Sequence, residues 1–139
     1  MYYVNREQIE RRLDIIPLLI EVCKEAEAAT GYSGLRAFAE ERALHLAIET
    51  VTDVGSLMID GYVMRDASSY EDIIEILAGE QVFPSALTAP LIELVKLRRP
   101  LVQDYMDYPR KAPHPLTAEL PALLTGFAAA VRDYLEREQ

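Results

Sequence analysis

Apolar residues recur three and four positions apart in stretch after stretch of this chain, and no stretch reads as a strand. That spacing fits the 3.6-residue turn of an α-helix and not the two-residue repeat of a sheet. Ile9, Leu13, Ile16, Ile20 and Cys23 mark a first helix, and Leu44, Ile48, Val51, Gly55 and Met58 a second. Tyr70, Ile73, Ile74 and Leu77 mark a short third, and the run from Leu91 through Leu94 to Leu101 a fourth. Leu120, Leu124, Phe127, Val131 and Leu135 mark the last. Each helix carries one oily stripe, and the simplest cover for a stripe is another stripe. The expected fold is all-α, an antiparallel up-and-down bundle of about five helices without a sheet. A chain of 139 residues suits one domain, spanning 1–139.

Local signals place the boundaries. Asn5 and Gln8 have the spacing of an N-cap and the residue it caps. Pro17 should bend the first helix near Leu13, whose carbonyl it leaves unbonded. Thr30, Gly31, Ser33 and Gly34 form the first loop, and the second helix starts between Ser33 and Phe38. Gly55, on the second stripe, either admits a neighbouring backbone or merely weakens its helix; Gly61 is the expected C-cap. Ser69 and Asp72 open the third helix, and Gly79 stops it. The fourth starts between Ser85 and Thr88 and is kinked by Pro100, which frees the Lys96 carbonyl. The segment Tyr108–Pro115 must be loop, with Thr117 capping the last helix.

Composition narrows the function. Half of the residues are hydrophobic, which excludes a disordered chain. The net charge of -9 weighs against a general nucleic-acid binder, because phosphates demand a basic surface. One segment departs from that balance. Between Lys96 and Lys111 lie five basic residues, Lys96, Arg98, Arg99, Arg110 and Lys111, against Asp104 and Asp107. A lone cysteine, Cys23, permits neither an internal disulfide nor a cysteine metal cluster, and its place on a stripe predicts packing rather than reactivity. No leader and no run of 18 apolar residues is present, so a cytoplasmic protein without a membrane span is expected.

The fourth stripe contains an anomaly. Leu91, Leu94, Arg98, Leu101 and Tyr105 share it at heptad spacing, so a guanidinium stands among leucines. An ion in that position needs a partner or a task. A carboxylate such as Asp53 on the second helix would satisfy it; alternatively Arg98 and Tyr105 mark a charged cleft or a dimer seam. Glu41, His45, Glu49 and Asp53 recur every four residues and offer metal-type ligands. The facing Glu-x-x-His that a di-metal bundle requires is missing, which favours a solvated polar face with no metal and no cofactor. His114, between prolines, reads as a solvated loop residue. Tyr2, Tyr3 and Tyr62 read as packing or interface aromatics. No phosphate-binding glycine loop and no hydrolase nucleophile motif occurs.

The anomalous stripe resembles the HepT-like branch of the HEPN superfamily, the toxin half of bacterial MNT/HepT toxin–antitoxin pairs. The hallmark there is Arg-Asn-x-x-x-His-x-Tyr on the penultimate helix of an all-α bundle. Here Arg98 and Tyr105 match, while Arg99 stands for the asparagine and Gln103 for the histidine. The stretches ERALHLAIETVTDVGSLMIDG from Glu41, SYEDIIEILAGEQVF from Ser69 and the N-terminal MYYVNREQIERRL extend the likeness over most of the chain. The resemblance implies a metal-independent ribonuclease acting as a homodimer whose paired motifs meet at a cleft. It implies catalytic roles for Arg98, Gln103 and Tyr105, RNA binding by Arg98, Arg99 and Lys96, and adenylylation of Tyr105 by an MNT-type nucleotidyltransferase antitoxin. Gln103 departs from the pattern: an amide binds phosphate but moves no proton at neutral pH. Catalysis is therefore expected to be weakened unless His45 or His114 folds beside Arg98. The alternative is a non-catalytic dimeric helical module that binds the nucleotidyltransferase.

Overall fold

A computed structural model describes residues 2–28 and 31–139. Thr30, read as part of the first loop, lies outside the described residues. The order is α1 (Arg6–Leu13), α2 (Ile16–Ala28), α3 (Gly34–Gly61), α4 (Tyr70–Gly79), α5 (Thr88–Lys96) and α6 (Leu116–Arg137). Short 3₁₀ turns occupy Ser85–Leu87 and Tyr105–Asp107, and a π turn occupies Arg99–Gln103. No strand occurs among the described residues, as the helical spacing requires. Nor is any described helix long and apolar enough to cross a membrane.

The stretch read as one bent first helix is two helices. Leu13 ends α1, the chain turns at Asp14 and Ile15, and Pro17 becomes the second residue of α2. At a helix start the missing N–H of proline costs nothing, so the break falls where the proline is tolerated. Helix α3, of 28 residues, is about 42 Å long at 1.5 Å per residue. It packs against every other α-helix. Leu44, Ala47, Ile48, Val51, Val54 and Met58 on α3 are fully enclosed, facing Ile9, Leu13, Ile74, Leu77, Leu91, Leu94, Leu120 and Phe127 in one continuous core. Gly55 is where α4 presses in: a Cβ there would overlap Ile73 Cγ2. Cys23 is buried in the same core, and burial pushes its thiol up to about 11, with Glu40 and Glu27 adding to the effect.

Asn5 and Ser69 cap as expected, and Ser33, read as loop, caps α3 as well. Asn5 Oδ1 accepts from the Gln8 amide at 3.2 Å, Ser33 Oγ from Arg36 at 3.2 Å, and Ser69 Oγ from Asp72 at 3.0 Å. Two terminal expectations are corrected. Gly61 does not cap α3; it is the last helical residue, and a Cβ there would lie 2.9 Å from Val4 Cα, so it admits the N-terminal segment. The left-handed residue that ends the helix is Val63, at φ 54°. Thr117 does not cap α6. Pro115, with φ preset near the helical value, stands at the cap, and the imidazole of His114 accepts from the Leu116 amide at 3.0 Å. Thr117 is buried inside the first turn.

Tyr70 is also corrected: it is 43% exposed and is not part of the α4 packing face. Tyr62 is buried and meets Tyr2 and Tyr134 edge-on, with ring centroids 5.5 Å and 5.1 Å away, while Tyr3 stands in solvent. Asp72 does more than open α4. Its carboxylate takes two bonds of 2.7 Å from Arg65 and one of 2.9 Å from the Ser68 amide, tying the preceding loop to the helix.

Those donors, Arg65 first, hold the Asp72 carboxyl well below the usual carboxylate range. A depressed folded value means that the stabilisation is complete above the unfolded value of about 3.9 and is lost as pH falls through the lower folded value. Asp72→Asn should therefore be less stable than wild type at pH 7, and the gap should close as the pH is taken below about 3.9. Urea melts of both proteins across the acid range read this directly.

Candidate functional site

Helix α3 supplies one wall of the site. Glu41, His45, Glu49 and Asp53 step along it one turn apart, and the three carboxylates each find an arginine on another segment. Glu41 takes 2.6 Å and 2.9 Å bonds from Arg110 in the loop before α6. Glu49 Oε1 lies 3.3 Å from Arg98 Nε and 3.4 Å from His45 Nε2. Asp53 is 3.5 Å from Arg12 of α1. The carboxylate expected to meet Arg98 was Asp53; the partner is Glu49, one turn earlier, because Asp53 points toward α1. Among the described residues no three His, Cys, Asp or Glu side chains converge on a common point; arginines occupy the carboxylates instead.

The segment after α5 forms the other wall. Pro100 cannot continue the hydrogen-bond ladder, and the chain adopts a wider turn in which the Asp104 amide bonds the Arg99 carbonyl five residues back, at 3.0 Å. Turns of this width often mark functional sites. Arg98 immediately precedes it. Its guanidinium lies over the Tyr70 ring at 4.4 Å, a cation–π contact that explains why Tyr70 leaves the α4 core face. Only Nε of Arg98 bonds a protein group among the described residues; both terminal nitrogens are uncommitted.

The remaining residues singled out in the sequence lie outward. Arg99 is exposed and 3.5 Å from Asp104, and Lys96 and Gln103 are exposed. Tyr105 begins the 3₁₀ turn with its side chain 56% exposed, beside exposed Met106. No hydrogen bond or ring contact joins Tyr105 to Arg98 among the described residues. The wide turn interrupts the seven-residue relation that would have stacked them. Tyr105 is held instead through its carbonyl, which accepts from Arg110 Nη2 at 2.8 Å.

Arg110 was seen only as part of a basic patch, yet it connects this region to α3. Besides Glu41 and the Tyr105 carbonyl, it lies against the rings of Phe38 and Tyr108. Next to Glu41, the buried Glu40 accepts from Tyr32 Oη at 2.8 Å and from the His114 amide at 2.6 Å. Burial pushes the Tyr108 hydroxyl up to about 12, with the Glu40 and Glu41 charges adding to it. Two consecutive carboxylates thus bind both ends of the proline-rich loop. His114, expected as a solvated residue, works at the loop base, far in role from any base catalyst.

Residues 9–110 match the family model described as ribonuclease HepT-like. The chain belongs to that family. YutE of Bacillus subtilis (strain 168), named as a candidate RNase, is 34% identical over 99% of this chain and 94% of its own length. The solved structure of B. subtilis YutE, titled a cytosolic protein of unknown function, superposes with a TM-score of 0.82 at 34% identity, over 99% of this chain and 95% of the other. A shorter stretch of 65 residues is 42% identical to peptide chain release factor 2 of Mycobacterium leprae and spans 17% of that protein. The matched family region takes in α3, the wide turn and Arg110, so both walls of the site fall within it.

Loss of Arg110 should free one side of the site without opening the core. Arg110→Ala is expected to speed hydrogen exchange of the amides from Tyr105 to His114 while leaving the central turns of α3 protected. Mass-spectrometric exchange on peptides from the two regions distinguishes this from global loosening.

Proposed function

We propose that this protein binds and cuts RNA without a metal ion, as the toxin-type member of a toxin–antitoxin pair, and that it works in the cytoplasm as a homodimer. One observation carries the reading: Arg98 is braced by Glu49 and Tyr70 while its two terminal nitrogens stay uncommitted. That pair of donors matches two oxygens of a phosphodiester, and fixed donors stabilise the charge that grows there during cleavage. Exposed Arg99 and Lys96 extend the positive surface along the strand, and Gln103 can donate an amide hydrogen bond to a phosphate oxygen. The family membership and the name of YutE support the ribonuclease class.

Tyr105 is exposed. This supports a second role, as the acceptor for adenylylation by an MNT-type nucleotidyltransferase, which would place a bulky anion beside the basic segment. Phe38, Tyr105 and Met106 are exposed large side chains near Arg110. Exposed apolar side chains of this kind favour a partner surface, and a second copy of the chain is the proposed one.

A second reading is favoured by Gln103, which stands where the family motif has a histidine. It is a dimeric helical module that engages the nucleotidyltransferase and leaves RNA intact.

Cleavage of a fluorescent single-stranded RNA in the presence of EDTA separates the two. Wild type should cut, and Arg98→Ala should be slower by about 10²–10³-fold, the usual cost of one transition-state donor. Equal rates for both would remove the nuclease and leave the binding module. For the dimer, light scattering should give twice the chain mass at micromolar concentration, and Met106→Glu should return the monomer.

A further inference from the structure

We propose that His45 of α3 supplies the proton transfer that Gln103 cannot, which makes it a catalytic residue of this chain; the inference rests on the ribonuclease reading above. Glu49 Oε1 stands between the two groups, 3.4 Å from His45 Nε2 and 3.3 Å from Arg98 Nε. One carboxylate oxygen therefore lies against both an imidazole and the guanidinium proposed to bind phosphate. On the ring's other side, Arg42 Nη1 lies 3.3 Å from Nδ1.

These two neighbours determine the tautomer. A carboxylate only accepts and a guanidinium only donates. Nδ1, facing a donor, consequently presents its lone pair to Arg42, and in the neutral ring Nε2 carries the hydrogen on the side of Glu49. A carboxylate beside one ring nitrogen and a lone pair on the other, once Arg42 turns away, is the arrangement that prepares a histidine to act as a base. Arg42 is exposed on α3 and can turn from the ring to a substrate phosphate. His45 itself is partly open to solvent, with 27% of its side chain accessible.

The chemistry balances without a metal or other co-reactant. Nδ1 of His45 takes the proton of a ribose 2′-hydroxyl. The oxygen's electron pair forms a bond to the adjacent phosphorus, whose charge Arg98 holds. The bond from phosphorus to the 5′-oxygen breaks, and that oxygen takes a proton from water. The products are a 2′,3′-cyclic phosphate and a free 5′-hydroxyl, and the hydroxide left behind takes the proton from the imidazolium.

His114, the only other histidine in the sequence, is committed elsewhere. Its Nδ1 accepts from the Leu116 amide, and its own amide is bonded to buried Glu40. It serves the start of α6 and stands outside the Glu49 cluster.

The test measures cleavage of single-stranded RNA at saturation, affinity for a non-cleavable 2′-O-methyl RNA, and thermal melting, for wild type, Arg98→Ala, His45→Ala and His45→Gln. The glutamine variant keeps a polar side chain on Glu49 and guards against a folding defect in the alanine variant. Both His45 variants should lose about 10²–10⁴-fold in turnover and keep their affinity for the non-cleavable RNA. Added imidazole should return part of the lost rate to His45→Ala. An unchanged rate in the His45 variants while Arg98→Ala is impaired overturns this inference and leaves the nuclease standing. So does a loss that follows affinity, or one that imidazole does not relieve. Absence of any Arg98-dependent cleavage by wild type overturns both.

Discussion

A helix touched by every other helix has little circumference left for water. That constraint on α3 organises the rest of the molecule. Its apolar positions, from Leu44 to Met58, fill the core. Its carboxylates at 40, 41, 49 and 53 must then be satisfied by whatever segment packs over them, because an unpaired charge at a crowded surface is costly. Glu40 and Glu41 take the loop before α6, Glu49 takes Arg98 beyond the end of α5, and Asp53 takes α1. The same helix therefore directs the core and sets where the connecting segments lie.

What was legible in the sequence was local. Asn5 and Ser69 could be read as caps because cap and capped amide lie within three residues, whereas Ser33 read only as loop. Gly55 could be read either as a close backbone approach or as a weak point, and what fills its space is the Ile73 side chain. The failures were decided by distant contacts or by less familiar donors and acceptors. Thr117 has the composition of a cap, yet a proline and an imidazole perform that task. Gly61 has the composition of a terminator, yet the chain at Val4 needs its space. Tyr70 fits the periodicity of α4, but the guanidinium of Arg98 draws it outward.

The candidate site was half legible. Arg98 was conspicuous as a charge on an oily stripe. Its carboxylate was not, because Glu49 and Asp53 occupy the same face of α3 and only the crossing of the segments selects between them. The four-residue recurrence of Glu41, His45 and Glu49 was visible, and it was weighed as a metal face or a solvated one. It is a row of anchors for arginines. Nothing in the sequence distinguished Arg110 from its neighbours in the basic patch, since its importance lies in spanning 69 residues to reach Glu41.

The wide turn at Arg99–Gln103 sets an angular phase. A π turn holds one more residue than an α-helical turn would, and each residue of an α-helix advances about 100° around the axis. Removing a single residue from this turn would rotate all that follows by about that angle relative to Arg98. The Tyr105 carbonyl would swing away from Arg110, and the loop would have to find a new path to α6. In a chain built this way, length at one turn is as constrained as chemistry, so insertions and deletions between Arg98 and Tyr105 should be tolerated far less well than most substitutions of the exposed residues there.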